Sequence, residues 1–89
     1  MDIEINKFGT LLISRPAGKE AFAAAKAYTL PPTLENPEIV LNFAKVEVLS
    51  PSWADEFITG IRELYKNCSV KCINTDNPSV KATLEILKI

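Results

Sequence analysis

The chain has 89 residues, which suffices for one small domain spanning residues 1–89. Hydrophobic residues make up 47% of it, ten basic residues stand against eleven acidic ones, and the formal net charge is −1, a balance that argues against nucleic-acid binding. Because no run approaches the roughly 18 apolar residues of a membrane span, and the start lacks the basic and apolar regions of a secretory signal, we expect a soluble cytoplasmic protein.

Two short segments typical of β-strands open the chain. Segment 2–6 places Ile3 and Ile5 on one face, and segment 10–14 is rich in residues that favour strands. Residues 7–9, which end in a glycine, can form a turn between them. The sequence therefore predicts an antiparallel hairpin at the N-terminus.

A helix and a buried strand are predicted next. The alanine-rich segment 17–29 favours a helix with Phe22 and Ala25 on one face, and the two prolines that follow prevent its continuation. Residues 30–36 form a polar loop that is too short to separate domains. The consecutive apolar residues of segment 38–43 are typical of a strand that is covered on both faces.

The best-supported element is a second helix over residues 52–66. Apolar residues recur there at helical spacing: Ala54, Phe57, Ile58, Ile61, Leu64 and Tyr65. A strand is predicted over 69–74, and Asn77 can cap a last helix over 78–87. Segment 80–86 also alternates as a strand would, but apolar residues on one helical side favour the helix.

These elements predict an α/β fold in the order β-β-α-β-α-β-α. Two strand-helix-strand units follow a hairpin, so the sheet should be mixed, with the helices packed on it.

No metal or cofactor site is expected. Cys68 and Cys72 lie on one face of a predicted strand but about 13 Å apart, which is beyond the reach of a disulfide or a shared metal. The chain has no histidine, its basic residues are dispersed, and its three glycines form no phosphate-binding motif. We interpret both cysteines as packing residues.

Residues 50–56 contain the candidate functional side chains. Ser50 before Pro51 fits an N-cap, and Ser52 with Asp55 three residues later approximates a capping box. A helix N-terminus also stabilises phosphate, so a capping serine can be a modified serine as well. Trp53 either completes the core or anchors a partner.

The same region offers a pair of adjacent acidic residues. Adjacent helical residues diverge by about 100°, and no nucleophile or histidine accompanies Asp55 and Glu56. We therefore interpret them as a solvated helix face and candidate partner contacts, and we expect no enzymatic activity.

The order of elements, together with the segment Ile-Val-Leu-Asn-Phe-Ala-Lys-Val-Glu-Val-Leu-Ser-Pro-Ser-Trp-Ala-Asp-Glu-Phe at 39–57, resembles the STAS domain. The run Ser-Trp-Ala-Asp-Glu at 52–56 is similar to a Ser-Phe-Ala-Asp-Glu run in a STAS-like offshoot of unassigned function in bacteria. The resemblance covers nearly the whole chain.

The resemblance implies a regulatory role. In anti-sigma-factor antagonists of the STAS family, a serine of an Asp-Ser-Ser-Gly-type turn is phosphorylated by a partner kinase. Here Ser52 aligns with the second hydroxyl position, while Ser50 replaces the aspartate, Pro51 the first hydroxyl residue and Trp53 the glycine.

We therefore expect a non-enzymatic interaction domain that binds a regulatory protein, such as a histidine-kinase-like ATPase, through residues 50–56. Two alternatives stay open: a small-molecule or nucleotide sensor, and an enzyme subunit active only inside a complex. A preformed apolar pocket with converging polar groups would favour the sensor, and a flat exposed patch would favour the protein partner.

Overall fold

The computed structural model describes residues 1–32, 35 and 38–89. Its strands are β1 (Asp2–Glu4), β2 (Leu11–Leu12), β3 (Glu38–Asn42), β4 (Val48–Leu49) and β5 (Ser69–Ile73). Its helices are α1 (Arg15–Tyr28), α2 (Pro51–Leu64) and α3 (Pro78–Ile86), and a 3-10 helix, Ile5–Phe8, follows β1. The α/β class is confirmed. Residues 33, 34, 36 and 37, which lie in or directly after the predicted loop 30–36, are outside the described residues.

The strands form two parallel sheets, and the prediction of one mixed sheet is wrong. Strands β1, β3 and β5 make a three-stranded sheet in the order β1-β3-β5, and β2 pairs with β4. Every strand pairing in the described ranges is parallel. The N-terminal hairpin is therefore also wrong.

The hairpin prediction fails because β1 and β2 do not pair with each other. Residues Ile5–Phe8 form a single 3-10 turn, and Gly9 ends it with a φ of 127°, a backbone conformation that favours glycine. Strand β1 pairs with β3, and strand β2 pairs with β4 in the second sheet. Strand β4, which the predicted order lacks, lies between the predicted strand over 38–43 and the predicted helix over 52–66.

The three helices begin and end within two residues of their predicted bounds. Each has a polar N-cap followed by a proline in its first turn: Ser14 for α1, Ser50 for α2 and Asn77 for α3. The Asn77 side chain accepts hydrogen bonds from the backbone N–H groups of Ser79 and Val80. Segment 80–86 is thus a helix and not the alternative strand.

Helices α1 and α2 lie side by side in the same direction. Gly18 near the start of α1 lies against Trp53 near the start of α2, and Phe22 lies against Gly60 further along. Beyond the helix ends, the Tyr65 hydroxyl donates a hydrogen bond to the Pro31 carbonyl. Because parallel strands precede both helices, the starts of α1 and α2 meet at one end of the small β2-β4 sheet.

Helix α3 covers the outer edge of β4. Ser79 Oγ accepts a hydrogen bond from the Leu49 backbone N–H at 3.0 Å, and the Thr83 hydroxyl donates to the Leu49 carbonyl. These side chains satisfy the backbone groups that another strand would otherwise bind. Strand β4 is therefore closed on both sides.

Candidate functional site

The start of α2 is fixed by Ser50, which has two hydrogen-bonding partners. Its Oγ accepts a hydrogen bond from the Trp53 backbone N–H at 3.1 Å and donates one to the Ile13 carbonyl at the end of β2. The first bond satisfies one of the free N–H groups of the helix start, and the second joins it to the neighbouring strand. Ser50 is thus the N-cap, as the first of the two capping alternatives predicted.

Ser52 occupies the second position of the helix and is half-buried. Because Ser50 serves as the cap, the Ser52 hydroxyl is not needed for capping. Residues three and four positions later share its side of the helix, which places it beside Asp55 and Glu56. Of the two candidate hydroxyls, Ser52 is the one whose modification leaves the cap intact.

Trp53 lies in the hydrophobic core, with only 2% of its surface exposed. Its ring stacks on that of Phe57 at a centroid distance of 5.1 Å and an interplanar angle of 10°, and the Phe8 ring lies beside both. The indole sits too deep to anchor a partner. Trp53 is therefore a core residue and not an anchor for a partner. Of the candidate partner contacts Trp53, Asp55 and Glu56, only Asp55 and Glu56 remain.

Asp55 and Glu56 both bind Arg15 of α1. Arg15 Nη1 lies 3.0 Å from Asp55 Oδ2 and 3.4 Å from Glu56 Oε1, and all three side chains are partly exposed. Hydrogen bonding, first to Asp55 and then to Glu56, raises the pKa of Arg15 above its ordinary value. An exposed cluster of this kind contributes little stability, but it fixes the charge pattern of the surface.

Arg15 is a residue that sequence reasoning missed. It is separated from Asp55 by 40 positions, so no local spacing connects them. The only signal is its place directly after the Ser14 cap, since two helices that start side by side bring their first-turn residues together.

Three exposed apolar side chains lie on the strands that lead into the two helices. Leu11 pairs with Val48 across the β2-β4 sheet, and Ile13 lies two residues beyond Leu11, on the same face. Leu11 is 59% exposed and Ile13 56%, while Leu12 between them is buried. We call Leu11, Ile13 and Val48 the apolar patch; the Ser50–Ile13 hydrogen bond joins it to the start of α2.

The structure describes both cysteines, Cys68 and Cys72. Both are free and partly buried, and burial raises the pKa of Cys72, which keeps its thiol protonated. In the part of the chain that the structure describes, no group of three His, Cys, Asp or Glu residues could hold a metal ion. Among those same residues, no helix has the length and apolar character needed to cross a membrane.

The two roles of Ser50 lead to a test of the helix start. Ser50→Ala removes the cap and the bond to Ile13, so we expect the free energy of unfolding to fall by about 1–2 kcal/mol. Ser52→Ala is the matched control and should change it by less than about 0.5 kcal/mol. Chemical denaturation measures both, and equal losses for the two variants would contradict the assignment of Ser50 as the cap.

Comparison with known proteins identifies the family. A model of the STAS-like domain of unknown function (DUF4325) matches residues 26–80, which span β3, β4, α2 and β5 together with part of α1 and the start of α3. Neither the search of curated proteins nor the search of solved structures found a match. The resemblance inferred from segment 39–57 is confirmed, and the chain belongs to the family of STAS-like domains of unknown function.

Proposed function

We propose that this chain is a non-enzymatic regulatory domain that binds a protein partner through the start of α2 and the adjoining apolar patch. The observation that carries the proposal is the contiguity of the two: Ser50 Oγ donates a hydrogen bond to the carbonyl of Ile13, an exposed residue of the patch. Apolar contact area beside oriented charges is the usual composition of a protein interface.

Charged side chains at the starts of α1 and α2 would set the orientation of a bound partner. Arg15, Asp55 and Glu56 are held together by hydrogen bonds, so a partner meets a fixed pattern of one positive and two negative groups. Fixed charges at the edge of an interface select the orientation of the partner and raise the rate of association.

Phosphorylation of Ser52 is the proposed regulatory event. A phosphate there would lie at the N-terminus of α2, where the helix dipole and free N–H groups favour it. It would also lie beside Asp55 and Glu56 and compete with their carboxylates for Arg15. By the likeness to anti-sigma-factor antagonists, the modifying partner is a kinase or a histidine-kinase-like ATPase.

Two clefts formed by the described residues lie at or just below the lower limit of the usual size of a ligand pocket. One cleft between β5 and α3 has a volume of about 240 Å³, and a second near the ends of α1 and α2 has about 290 Å³. Ligand pockets usually measure about 300–1,000 Å³. The apolar patch, in contrast, supplies the exposed surface expected for the partner.

The proposal is tested with any partner that affinity capture recovers, once that partner is purified. We expect Ile13→Asp to weaken its binding by about tenfold or more, equivalent to about 1.4 kcal/mol, because a charge then enters the apolar contact. Ser52→Asp, which carries part of the charge of a phosphate, should change the affinity in the direction that phosphorylation does.

Glu63→Gln is the matched control, because Glu63 is exposed near the other end of α2. Incubation of the chain with the partner and ATP, followed by mass spectrometry, should find phosphate on Ser52 and not on Ser50. If folded Ile13→Asp and Ser52→Asp bind every partner as tightly as Glu63→Gln does, the start of α2 is not the interface.

A further inference from the structure

Strand β5 is an edge strand whose outer side is open. It pairs with β3, and no strand in the described part of the chain lies beyond it. The Ile73 carbonyl accepts a hydrogen bond from the Phe43 N–H at 3.1 Å. Backbone groups alternate in direction along a strand, so Lys71 and Ile73 face β3, whereas the N–H and C=O groups of Val70 and Cys72 face outward.

The same two residues line a cleft beneath the open edge. The side chains of Val70 and Cys72 lie on the core side of β5, and together with Leu84 and Ile89 they form the apolar floor of the cleft between β5 and α3. Lys81 and Glu85 of α3 form its rim. A strand placed beside β5 would therefore direct every second side chain toward this cleft.

The cleft has room for apolar side chains of an added strand but is small for a small-molecule ligand. Its volume is about 240 Å³, below the usual range for ligand pockets. Burial raises the pKa of the Cys72 thiol, so the floor stays uncharged near neutral pH. The rim carries one positive and one negative side chain and no excess of either sign.

We propose that β5 and α3 form a peptide-binding groove, in which an extended segment of a partner protein adds to the sheet as a fourth strand beside β5. Backbone hydrogen bonds to Val70 and Cys72 give affinity, and an apolar side chain in the cleft gives selectivity, which is the division of roles in β-strand addition. This surface goes beyond the proposed interface at the start of α2 and does not depend on it.

The charge of Lys71 identifies the chemistry of the segment. Lys71 is exposed on the face of β5 opposite the cleft, so the residue of an added strand that lies beside it is favourable when acidic. The expected segment therefore has an acidic residue between two apolar ones. In the antiparallel register that sets Val70 of one β5 strand opposite Cys72 of another, Lys71 lies opposite Lys71 of the other copy, so in this register a second copy of this chain is a less favourable occupant than an acidic segment.

A phage-displayed library of random linear peptides, panned against the full chain, tests the proposal. We expect selected peptides in which an acidic residue lies between apolar ones.

Amide hydrogen exchange tests the backbone pairing. In the free protein, the amide protons of Val70 and Cys72 should exchange rapidly with solvent, and those of Lys71 and Ile73 slowly. Bound peptide should protect Val70 and Cys72, and N-methylation along the peptide should abolish binding at alternate positions only.

Lys71→Glu tests the charge selectivity, and it should leave the fold intact because Lys71 lies outside the core. This variant should weaken the selected acidic peptides by about tenfold and favour peptides with lysine in place of the acidic residue. Failure to select any peptide, protection of amides elsewhere with none at Val70 and Cys72, or indifference to N-methylation would overturn the groove.

Discussion

Replacing Phe57 by alanine is expected to lower the free energy of unfolding by about 3–5 kcal/mol. Phe57 is fully buried and lies at the centre of the aromatic cluster between α1, α2 and the 3-10 helix. Its ring stacks on Trp53 at 5.1 Å, tilts against Phe8 at 5.1 Å and meets the edge of Phe22 at 6.1 Å. Alanine removes all three contacts and leaves a cavity that these rings cannot all fill at once.

Chemical denaturation monitored by Trp53 fluorescence and circular dichroism measures the loss. Ile61→Ala, one turn further along the same buried side of α2, should cost about 2–5 kcal/mol. Glu63→Ala, on the exposed side of the same helix, should change stability by less than about 0.5 kcal/mol. A loss below about 1 kcal/mol for Phe57→Ala would mean that this face of α2 is not the centre of the core.

The helices were predictable because their determinants are local. In α2, apolar residues repeat every three or four positions, and Ser50 with Pro51 marks the start. The same holds for α3, where Asn77 can cap the start and apolar residues on one helical side favoured the helix over the strand alternative for segment 80–86. Both signals lie within a few residues of the element that they specify.

The strand partners were not predictable in the same way. Alternation placed Ile3 and Ile5 on one face, and both are buried, but it carried no information about which strand lies beside them. A glycine after residues 7–8 fits a hairpin turn as well as the end of a 3-10 helix, and the choice depends on the pairing of β1 with β3, more than 30 positions away. Strand β4 was missed because two residues carry no periodicity.

The candidate site likewise combines a local feature that the sequence predicted with long-range contacts that it did not predict. The cap at Ser50 is a local feature and was anticipated as one of two alternatives, whereas the bridge from Arg15 to Asp55 and Glu56 joins residues about 40 positions apart. The depth of Trp53 depends on Phe8 and Phe57 together, so its sequence position at the edge of the apolar stripe left both roles open.

Gly18 offers a test in which local propensity and packing predict opposite signs. It lies inside α1, where alanine is normally more stable than glycine by about 0.5–1 kcal/mol. A Cβ atom at this position would lie 2.6 Å from the Trp53 carbonyl oxygen and 3.2 Å from Glu56 Cβ. The nearer atom belongs to the backbone of α2, so a side-chain rotation cannot relieve the clash.

We therefore expect Gly18→Ala to lower the free energy of unfolding by about 1–3 kcal/mol, because α1 must move away from α2 and from the packed Trp53. Ala24→Gly, at an exposed position of the same helix, should cost about 0.5–1 kcal/mol through propensity alone. The two variants thus measure close packing and helix propensity separately by denaturant titration. A gain in stability for Gly18→Ala would show that the helices can separate without cost, and it would remove the close approach of α1 and α2 as the reason for glycine at this position.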